Sequence, residues 1–340
     1  MRVHKFVLLF LAGLLIVGCV LYWAGTEDVY NQVLKLSFTY FLLFLAVQIA
    51  MMVLWALKWW IILRQHKISF WRLLPVSFFG YLMNNLSPMT MAGGEAFRAY
   101  MLGRVEKIST EDSAASVVID LFLEVFPLMI MIVLSIFIVL TYDIPYIIAV
   151  ILGLAGLFVL AVLLFILVLI VNERVSHLLI THAIRLMCCI PISFLRNHAL
   201  DAKTRIDKIL VNFQKTLRTS VKDNTVLFFG VIIASIIWFL SILRMYLIFQ
   251  MLGVEIPLSA IVMVRVVITA LTFLSVIPGG LGIWEGGSTW FYSLFGIAAP
   301  VAMAATLIER LFSFWIGSAI GFAATVYLGA TKIVKKYLDE

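Results

Sequence analysis

Residues 277–287 read Ile-Pro-Gly-Gly-Leu-Gly-Ile-Trp-Glu-Gly-Gly, in the middle of an apolar stretch that runs from Pro257 to Ala299. Proline and clustered glycine stop a helix. An earlier apolar stretch, Phe70 to Leu102, is interrupted at Ser87-Pro88 and at Gly93-Gly94. Each stretch therefore predicts a helix, a break near the middle of a membrane and a second short helix.

The composition requires a membrane around these breaks. Of the 340 residues, 64% are apolar and 13% are charged, whereas a soluble protein is about 45–50% apolar and about 25% charged. This surplus excludes a soluble enzyme, a disordered protein and a nucleic-acid-binding protein, because a surface in water needs polar cover. The net charge of +7 is then explained by basic cytoplasmic loops.

Six further stretches are long and apolar enough to cross a bilayer, which takes about 20 residues. They are residues 6–24, 38–63, 113–140, 145–171, 225–251 and 301–329. The positive-inside rule places both termini and the basic loop 173–222 in the cytoplasm, provided that each interrupted stretch returns to the side it entered from. The predicted fold is an all-α polytopic membrane protein with about six transmembrane helices and two oppositely oriented re-entrant helical hairpins.

Two units of the chain agree in order and spacing. From Pro88 to Asp120 is 32 positions, and from Pro278 to Glu309 is 31. The charge pattern orients the units oppositely, so we predict an inverted repeat, which is typical of alternating-access transporters with a site near the midplane. The alternative is a chance likeness of apolar helices, but the match includes proline, glycine and acidic positions.

The whole chain, residues 1–340, is predicted to be one membrane domain of the bacterial or archaeal cytoplasmic membrane. Its parts are an N-terminal anchor helix and outer loop (1–37), a first repeat (38–140) with its hairpin at 70–102, a connecting span (141–172), a basic cytoplasmic loop (173–224), a second repeat (225–329) with its hairpin at 257–299, and a basic cytoplasmic tail (330–340). Residues 201–222 predict an amphipathic helix on the anionic cytoplasmic leaflet, or one packed under the bundle. Gly317 and Gly321 fit either a homodimer face or packing within the bundle.

Charged side chains inside the apolar stretches carry the functional hypothesis, because each costs about 2.5–3.5 kcal/mol at the bilayer centre. The candidates are Glu95, Arg98, Asp120, Glu124, Arg244, Arg265, Glu285, Glu309 and Arg310. Acids and bases are balanced, so ion pairs that only hold the bundle together are the alternative to substrate binding. A functional role is favoured for the residues that flank the breaks, since irregular backbone at membrane depth lies in protein or beside a cavity.

The breaks themselves suit an anionic group. A helix that begins after Gly93-Gly94 or after Gly286-Gly287 would point free N–H groups and a partial positive charge into the membrane. Arg98 and Arg265 would add positive charge nearby. Glycines would let a ligand approach the backbone, and the two asparagines would bind the ligand or cap the first hairpin helix. These further candidate ligands are Asn84, Asn85, Gly279, Gly280 and Gly282.

Asp120 and Glu124 lie one helical turn apart and repel each other when both are ionised. Such a pair would carry a proton or bind an amine. The alternative is that Arg98 or Arg310 neutralises the pair across the repeat interface. The chain has no Gly-Lys-Ser/Thr, His-Glu-x-x-His or Cys-x-x-Cys motif, so we predict no catalytic residue, metal or cofactor.

The stretch from Ile277 to Gly286 resembles the Pro-Gly-Gly-x-Gly-x-x-Glu signature of the membrane domain of lysyl-phosphatidylglycerol synthases and its stand-alone, flippase-like relatives. Gly93-Gly94-Glu95-x-x-Arg98 and Glu309-Arg310-Leu311 look like further blocks of that family, and the resemblance covers residues 38 to 329. It implies movement of a lipid with a bulky polar head between leaflets. No soluble aminoacyl-transfer domain is present in these residues, so synthesis of lysyl-lipid is not expected. Leu121 stands where many relatives carry arginine, which would leave the acid pair unneutralised.

The leading prediction is a lipid translocase rather than an enzyme. Its substrate would be an anionic or zwitterionic phospholipid or a polyprenyl-phosphate-linked sugar. Arg98, Arg265 and the helix N-termini would hold the phosphate, while Glu95, Glu285 and the acid pair would receive a polar or cationic head. The alternatives are a proton-coupled secondary transporter of a small soluble anion and a membrane-embedded lipid-modifying transferase.

Overall fold

The computed structural model describes residues 3–87, 93–106, 108–141, 146–171, 206–273 and 275–338. Every regular element within these ranges is a helix, which confirms the all-α class for this part of the chain. Polar residues begin several helices in the way that the sequence favours. The Ser37 hydroxyl accepts a hydrogen bond from the Tyr40 amide, and the Asp223 carboxylate accepts one from the Thr225 amide at 3.0 Å.

Thirteen helices are numbered here in chain order. The first seven are α1 (Val3–Ala24), α2 (Thr26–Val33), α3 (Phe38–Ile62), α4 (Phe70–Leu86), α5 (Gly93–Glu106), α6 (Thr110–Thr141) and α7 (Tyr146–Val171). The other six are α8 (Ile206–Lys222), α9 (Asn224–Met251), α10 (Leu258–Phe273), α11 (Ile283–Ser293), α12 (Ala299–Arg310) and α13 (Gly317–Leu338). A π-helical turn, Leu311–Ile316, joins α12 to α13 without interrupting the rod.

Among the described residues, four helical segments are long and apolar enough to cross a membrane, so the protein is a multi-pass membrane protein. They are Phe38–Ile62, Glu111–Thr141, Asn224–Met251 and Ala299–Gly329. They coincide with four of the six predicted spans. Leu8–Ala24 and Thr26–Val33 make a fifth span only if this pair, bent by 95°, is taken as one. The count of six spans therefore stays a prediction.

Both predicted breaks interrupt the helices. Helix α4 ends at Leu86 and α5 begins at Gly93, whereas α10 ends at Phe273 and a short 3-10 turn, Pro278–Gly280, precedes α11. The predicted start after Gly286-Gly287 is wrong, because α11 already begins at Ile283. Gly282, at φ +84°, ends the turn, and its amide donates to the Glu285 carboxylate at 2.6 Å.

The packing of the helices is nearly the same when the two units are exchanged. Helix α3 packs on α9, the first span of the second unit. The first hairpin helix α4 packs on α13, and its counterpart α10 packs on α6. Within each unit, the second hairpin helix packs on the following span, α5 on α6 and α11 on α12. Each hairpin is thus held between its own unit and the last span of the other.

Two large apolar cores and one small one, around Ala24 and Met303, lie between the described helices. The larger core includes α9, α10 and α12, where Phe249, Val267 and Ala305 are fully buried. The other large core includes α3, α4 and α6, where Trp59 and Leu73 are fully buried. Ionisable side chains lie beside both large cores, so neither is a continuous hydrocarbon interior.

Packing within the bundle is observed at both places where the sequence left two alternatives open. Helix α8 packs on α6, with Leu217 fully buried and the Thr216 hydroxyl donating to Asp112, so its second half lies against the bundle; residues 201–205 lie outside the described residues. A Cβ at Gly317 would lie 2.6 Å from the Tyr81 ring, and one at Gly321 would lie 2.7 Å from the Leu82 side chain. Both glycines therefore pack within the bundle.

Candidate functional site

The first charge cluster joins α3, α5 and α6. Its members are Lys58, Glu95, Arg98, Asp120 and Glu124. The Lys58 ammonium lies 3.1 Å from Asp120 Oδ1 and also binds Glu124. Arg98 Nη2 lies 2.6 Å from Asp120 Oδ2 and 2.5 Å from Glu95 Oε2. Asp120 therefore bridges the two cations and ties the first hairpin to the span α3.

Arg98 is enclosed by protein. Its guanidinium carbon lies 4.3 Å from the centre of the Trp55 ring and 4.4 Å from that of Trp59, and its side chain is fully buried. Aromatic faces stabilise a cation in this geometry, and more so where water is excluded. The predicted phosphate contact of Arg98 would thus require the cluster to open.

The predicted asparagines connect the first hairpin to other helices. The Asn84 amide oxygen accepts a hydrogen bond from the Gly94 amide at 2.9 Å, and its nitrogen donates to Glu95 at 3.4 Å. Asn85 donates to the Ser318 hydroxyl at 2.9 Å. The free N–H group that Gly94 was expected to offer to an anion is therefore already bonded.

The second charge cluster joins α9, α10, α11 and α12. Its members are Arg244, Arg265, Glu285, Glu309 and Arg310. Glu309 Oε1 lies 2.7 Å from Arg244 Nη2 and 3.5 Å from Arg265 Nη1. Arg310 Nε donates to Glu285 Oε1 at 2.8 Å. The second hairpin is therefore attached to the last span by two ion pairs.

The glycine break is filled by protein. Arg310 Nη2 donates to the Gly279 carbonyl at 2.8 Å, and a Cβ on Gly279, which has φ +63°, would lie 2.2 Å from the Phe314 ring. A Cβ on Gly280 would lie 2.7 Å from Thr272, and one on Gly282 would lie 2.6 Å from Ile16 of α1. These glycines allow close packing of helices here, and they leave no space for a ligand at the backbone.

The two clusters share part of their layout. Glu95 lies seven positions after Pro88, and Glu285 lies seven after Pro278. Each of these glutamates binds an arginine. In each unit, a base of the first span also binds an acid of the last. These cross-span pairs are Lys58–Asp120 and Arg244–Glu309.

A line of polar contacts leads from the second cluster to the first hairpin. Arg244 donates to the Gln48 amide oxygen, and Gln48 donates to the Tyr81 hydroxyl at 3.1 Å. Tyr81 in turn donates to the Ser313 carbonyl at 2.8 Å. Ser313 lies in the π-helical turn, where the wider winding changes the pattern of backbone hydrogen bonds. Side chains of α4 thereby satisfy carbonyls of the last span.

A small cavity lies beside the second cluster. Its volume is about 20 Å³, which is room for about one water molecule. Arg265 lines it with 24% of its side chain exposed, its Nε has no hydrogen-bond partner, and its guanidinium stacks 4.8 Å from the centre of the Trp284 ring. The other polar lining residues are Ser241, Ser288, Tyr292, Thr306 and Glu309. Of the three arginines in this cluster, Arg265 is thus the one that lines the cavity and the most exposed.

The structure brings all the predicted ionisable residues into these two clusters and adds residues that the sequence interpretation missed. Lys58 is the main one, and its signal was a single ammonium in a run of 25 residues that has no other charged side chain. The expectation that Leu121 leaves the acid pair unneutralised is wrong, because Lys58 binds both acids. Arg98 neutralises Asp120 as one alternative proposed, whereas Arg310 binds Glu285 instead.

Comparisons with known proteins assign most of the chain to one group. The family described as "Lysylphosphatidylglycerol synthase TM region" matches residues 10–321. A UPF0104 membrane protein of Methanothermobacter thermautotrophicus is 32% identical over 99% of both chains. One of Pyrococcus horikoshii is 27% identical over 92% of this chain and 94% of the relative. No solved structure matches.

Proposed function

Because the chain belongs to the family of the lysylphosphatidylglycerol synthase transmembrane region, we propose that it moves a phosphate-bearing lipid between the two leaflets of a membrane. The family's description names an enzyme of phospholipid chemistry, which supports a role related to membrane lipids. The proposed substrate is an anionic or zwitterionic phospholipid or a polyprenyl-phosphate-linked sugar. The protein would act as a transporter in the cytoplasmic membrane, with both termini inside.

The observation that carries this proposal is the surplus cation beside the cavity. Three arginines and two glutamates leave the second cluster with a net charge of +1. A charge without a partner is costly inside a membrane. Arg265 Nε has no hydrogen-bond partner, and Arg265 lines the cavity together with Ser288 and Tyr292. A phosphate group would supply both the missing charge and the missing hydrogen-bond acceptors.

The size of the cavity supports a cycle with more than one state. About 20 Å³ holds a water molecule but no lipid headgroup, so the described state would be closed. The near-equivalent packing of the two units supports the inverted repeat, in which one unit moves against the other around a fixed site. The acyl chains would stay in the bilayer while the headgroup crosses between the units.

A reconstituted assay tests the proposal. The protein is placed in vesicles that contain a trace of fluorescent phospholipid, and a membrane-impermeant reductant bleaches the outer leaflet. We expect the second, slow phase of bleaching to accelerate with the wild-type protein. Arg265→Gln should slow this phase by about tenfold, equivalent to about 1.4 kcal/mol. The matched control is Arg72→Gln. The Arg72 side chain is 74% exposed, and its ion pair with Glu106 is long, at 4.0 Å.

Three results would contradict a lipid translocase. Bleaching at the protein-free rate with each phospholipid and with a polyprenyl-phosphate sugar would refute lipid movement. A new lipid species in extracts of the vesicles would assign the protein to the transferases. Uptake of a soluble anion without movement of lipid would favour the secondary transporter.

A further inference from the structure

The first charge cluster has the opposite imbalance to the second. Lys58 and Arg98 face three carboxylates, so the cluster carries a net charge of −1 when every group is ionised. Both of its cations are fully buried. An excess carboxylate at membrane depth needs a compensating cation or a proton.

Side-chain exposure identifies the carboxylate of the first cluster that can receive this cation or proton. The Glu124 side chain is 30% exposed, whereas those of Glu95 and Asp120 are 8% and 2% exposed. Asp120 is bound by two cations, and Glu95 is bound by Arg98 and Asn84. Among the described residues, Glu124 therefore has one ionic partner, Lys58, which it shares with Asp120, and it has the easiest access from outside the cluster.

Lys58 is the charged side chain that faces Glu124 within 4.0 Å among the described residues. From the other helices packed on α6, α5 contributes Glu95 and Arg98 to the cluster, while Arg244 of α9 and Arg265 of α10 bind Glu309 in the second cluster. Helix α7 carries no Asp, Glu, Lys or Arg. Helix α8 meets α6 at Asp112, three helical turns before Glu124.

We propose that Glu124 binds and releases a proton in each transport cycle, so that lipid movement is coupled to a proton gradient. This inference rests on the proposed function, because it assigns the energy source of the same transporter. A proton adds to the Glu124 carboxylate, forms the neutral acid and brings the cluster from −1 to zero. Release of that proton restores the carboxylate and its ion pair with Lys58.

The contacts provide a path from this proton to the hairpin. Lys58 is shared between Glu124 and Asp120, and Asp120 is shared between Lys58 and Arg98. When Glu124 is neutral, Lys58 is held by Asp120 alone. Asp120 then holds Arg98 less strongly, and Arg98 is the residue that anchors α5. Protonation would in this way loosen the first hairpin, and deprotonation would fix it.

The test measures translocation and protonation separately. In wild-type vesicles, an imposed pH gradient should change the rate of lipid translocation by about fivefold or more, while Glu124→Gln should move lipid at a rate that the gradient does not alter. Glu124→Asp, which keeps a titratable group, should retain the dependence and controls for folding. Glu255→Gln is the matched control, because Glu255 is exposed in the loop before α10 and should leave the gradient effect unchanged.

Infrared difference spectroscopy between two pH values supplies a readout that needs no transport. Beyond the signal of the exposed carboxylates, one component of the protonated-carboxyl band should grow on acidification in the wild-type protein and in Glu255→Gln, and be missing in Glu124→Gln. Gradient-independent translocation without this band would overturn the coupling and leave the proposed function standing. The band without translocation of any lipid would refute the proposed function and retain the proton site. If lipid translocation depended on a sodium gradient instead, the site would bind a metal cation, and the proposal of proton binding at Glu124 would be overturned.

Discussion

At the scale of single residues, the charged side chains inside the membrane could be picked out from the sequence, but their partners could not. Lys58 binds acids 62 and 66 positions away, and Arg244 binds Glu309 65 positions away. Helical periodicity reports neighbours three and four positions apart, so it carries no information about such pairs. This is why Asp120 and Glu124 were expected to lack a base when the residue next to them, Leu121, was uncharged.

Replacing Lys58 should show how strongly the first cluster depends on it. Lys58→Met keeps most of the side-chain volume and leaves the three carboxylates of the first cluster with Arg98 as their one cation. Breaking a buried ion pair in this way costs about 3–5 kcal/mol, which we expect as a loss in the free energy of unfolding in detergent micelles. Lys58→Met combined with Asp120→Asn should recover part of the loss, because the double variant returns the net charge of the cluster from −2 to its original −1.

The matched control for this prediction is Lys215→Met, since Lys215 is exposed on α8. It should change the free energy of unfolding by less than about 0.5 kcal/mol. Equal effects of Lys58→Met and Lys215→Met would show that the ion pairs of the first cluster contribute nothing to stability.

At the scale of elements, proline and glycine locate the breaks, yet they do not reveal what fills them. The signature around Pro278 predicted open backbone beside a ligand. The structure instead places α1, the π-helical turn and Arg310 against it. The π-helical turn has no signal of its own in the sequence, because Leu311–Ile316 is a mostly apolar run like those inside the other spans. Its geometry depends on contacts from α4, which only the folded molecule provides.

Two glycines with left-handed backbone allow the free-energy cost of backbone strain to be measured apart from the cost of overpacking. Gly253 has φ +76° and open space around a Cβ, whereas Gly279 has φ +63° and the Phe314 ring 2.2 Å away. Gly253→Ala should lose about 1–2 kcal/mol of unfolding free energy from backbone strain alone. Gly279→Ala should lose about 1–3 kcal/mol more, because it also overpacks the break. Denaturant unfolding of both variants checks this, and equal losses would show that Gly279 is needed only for its backbone conformation.

The docking of α1 on the break can be tested on a single helix. A Cβ at Gly13 would lie 2.8 Å from the Leu281 side chain, whereas one at Gly18 would meet nothing within 4 Å. Gly13→Leu should therefore displace α1 from the break and destabilise the protein by about 1–3 kcal/mol, while Gly18→Leu should be neutral. Unfolding in micelles measures the difference. A neutral Gly13→Leu would show that α1 does not pack here.

At the scale of the whole molecule, composition and hydropathy were sufficient for the fold class and for four spans. The order of helices and the position of both breaks also followed from local signals. The sequence did not predict that each hairpin packs on the last span of the other unit, α4 on α13 and α10 on α6. Packing between distant segments depends on side-chain shape rather than on periodicity. The same holds for the site: nine of its ten charged members were predicted, whereas Lys58 and the division into two clusters of opposite net charge were not.

The orientation of the hairpins is the last prediction, and it distinguishes re-entrant segments from full spans. If both hairpins re-enter, the two ends of each lie on one side of the membrane. We expect Gln65→Cys and Arg104→Cys, which flank the first hairpin at exposed positions, to react with a membrane-impermeant maleimide only from the cytoplasmic side. Glu255→Cys and Ala298→Cys, at exposed positions around the second hairpin, should react only from outside.

The labelling is done in right-side-out and inside-out vesicles with Cys19, Cys188 and Cys189 replaced by serine. Lys215→Cys marks the cytoplasmic side, because the basic loop around it follows the positive-inside rule. Reaction of Gln65→Cys and Arg104→Cys from opposite sides would make the first hairpin a pair of segments that crosses the membrane. The second unit would then enter with the same orientation as the first, and the inverted repeat, on which alternating access around a central phosphate site depends, would be lost.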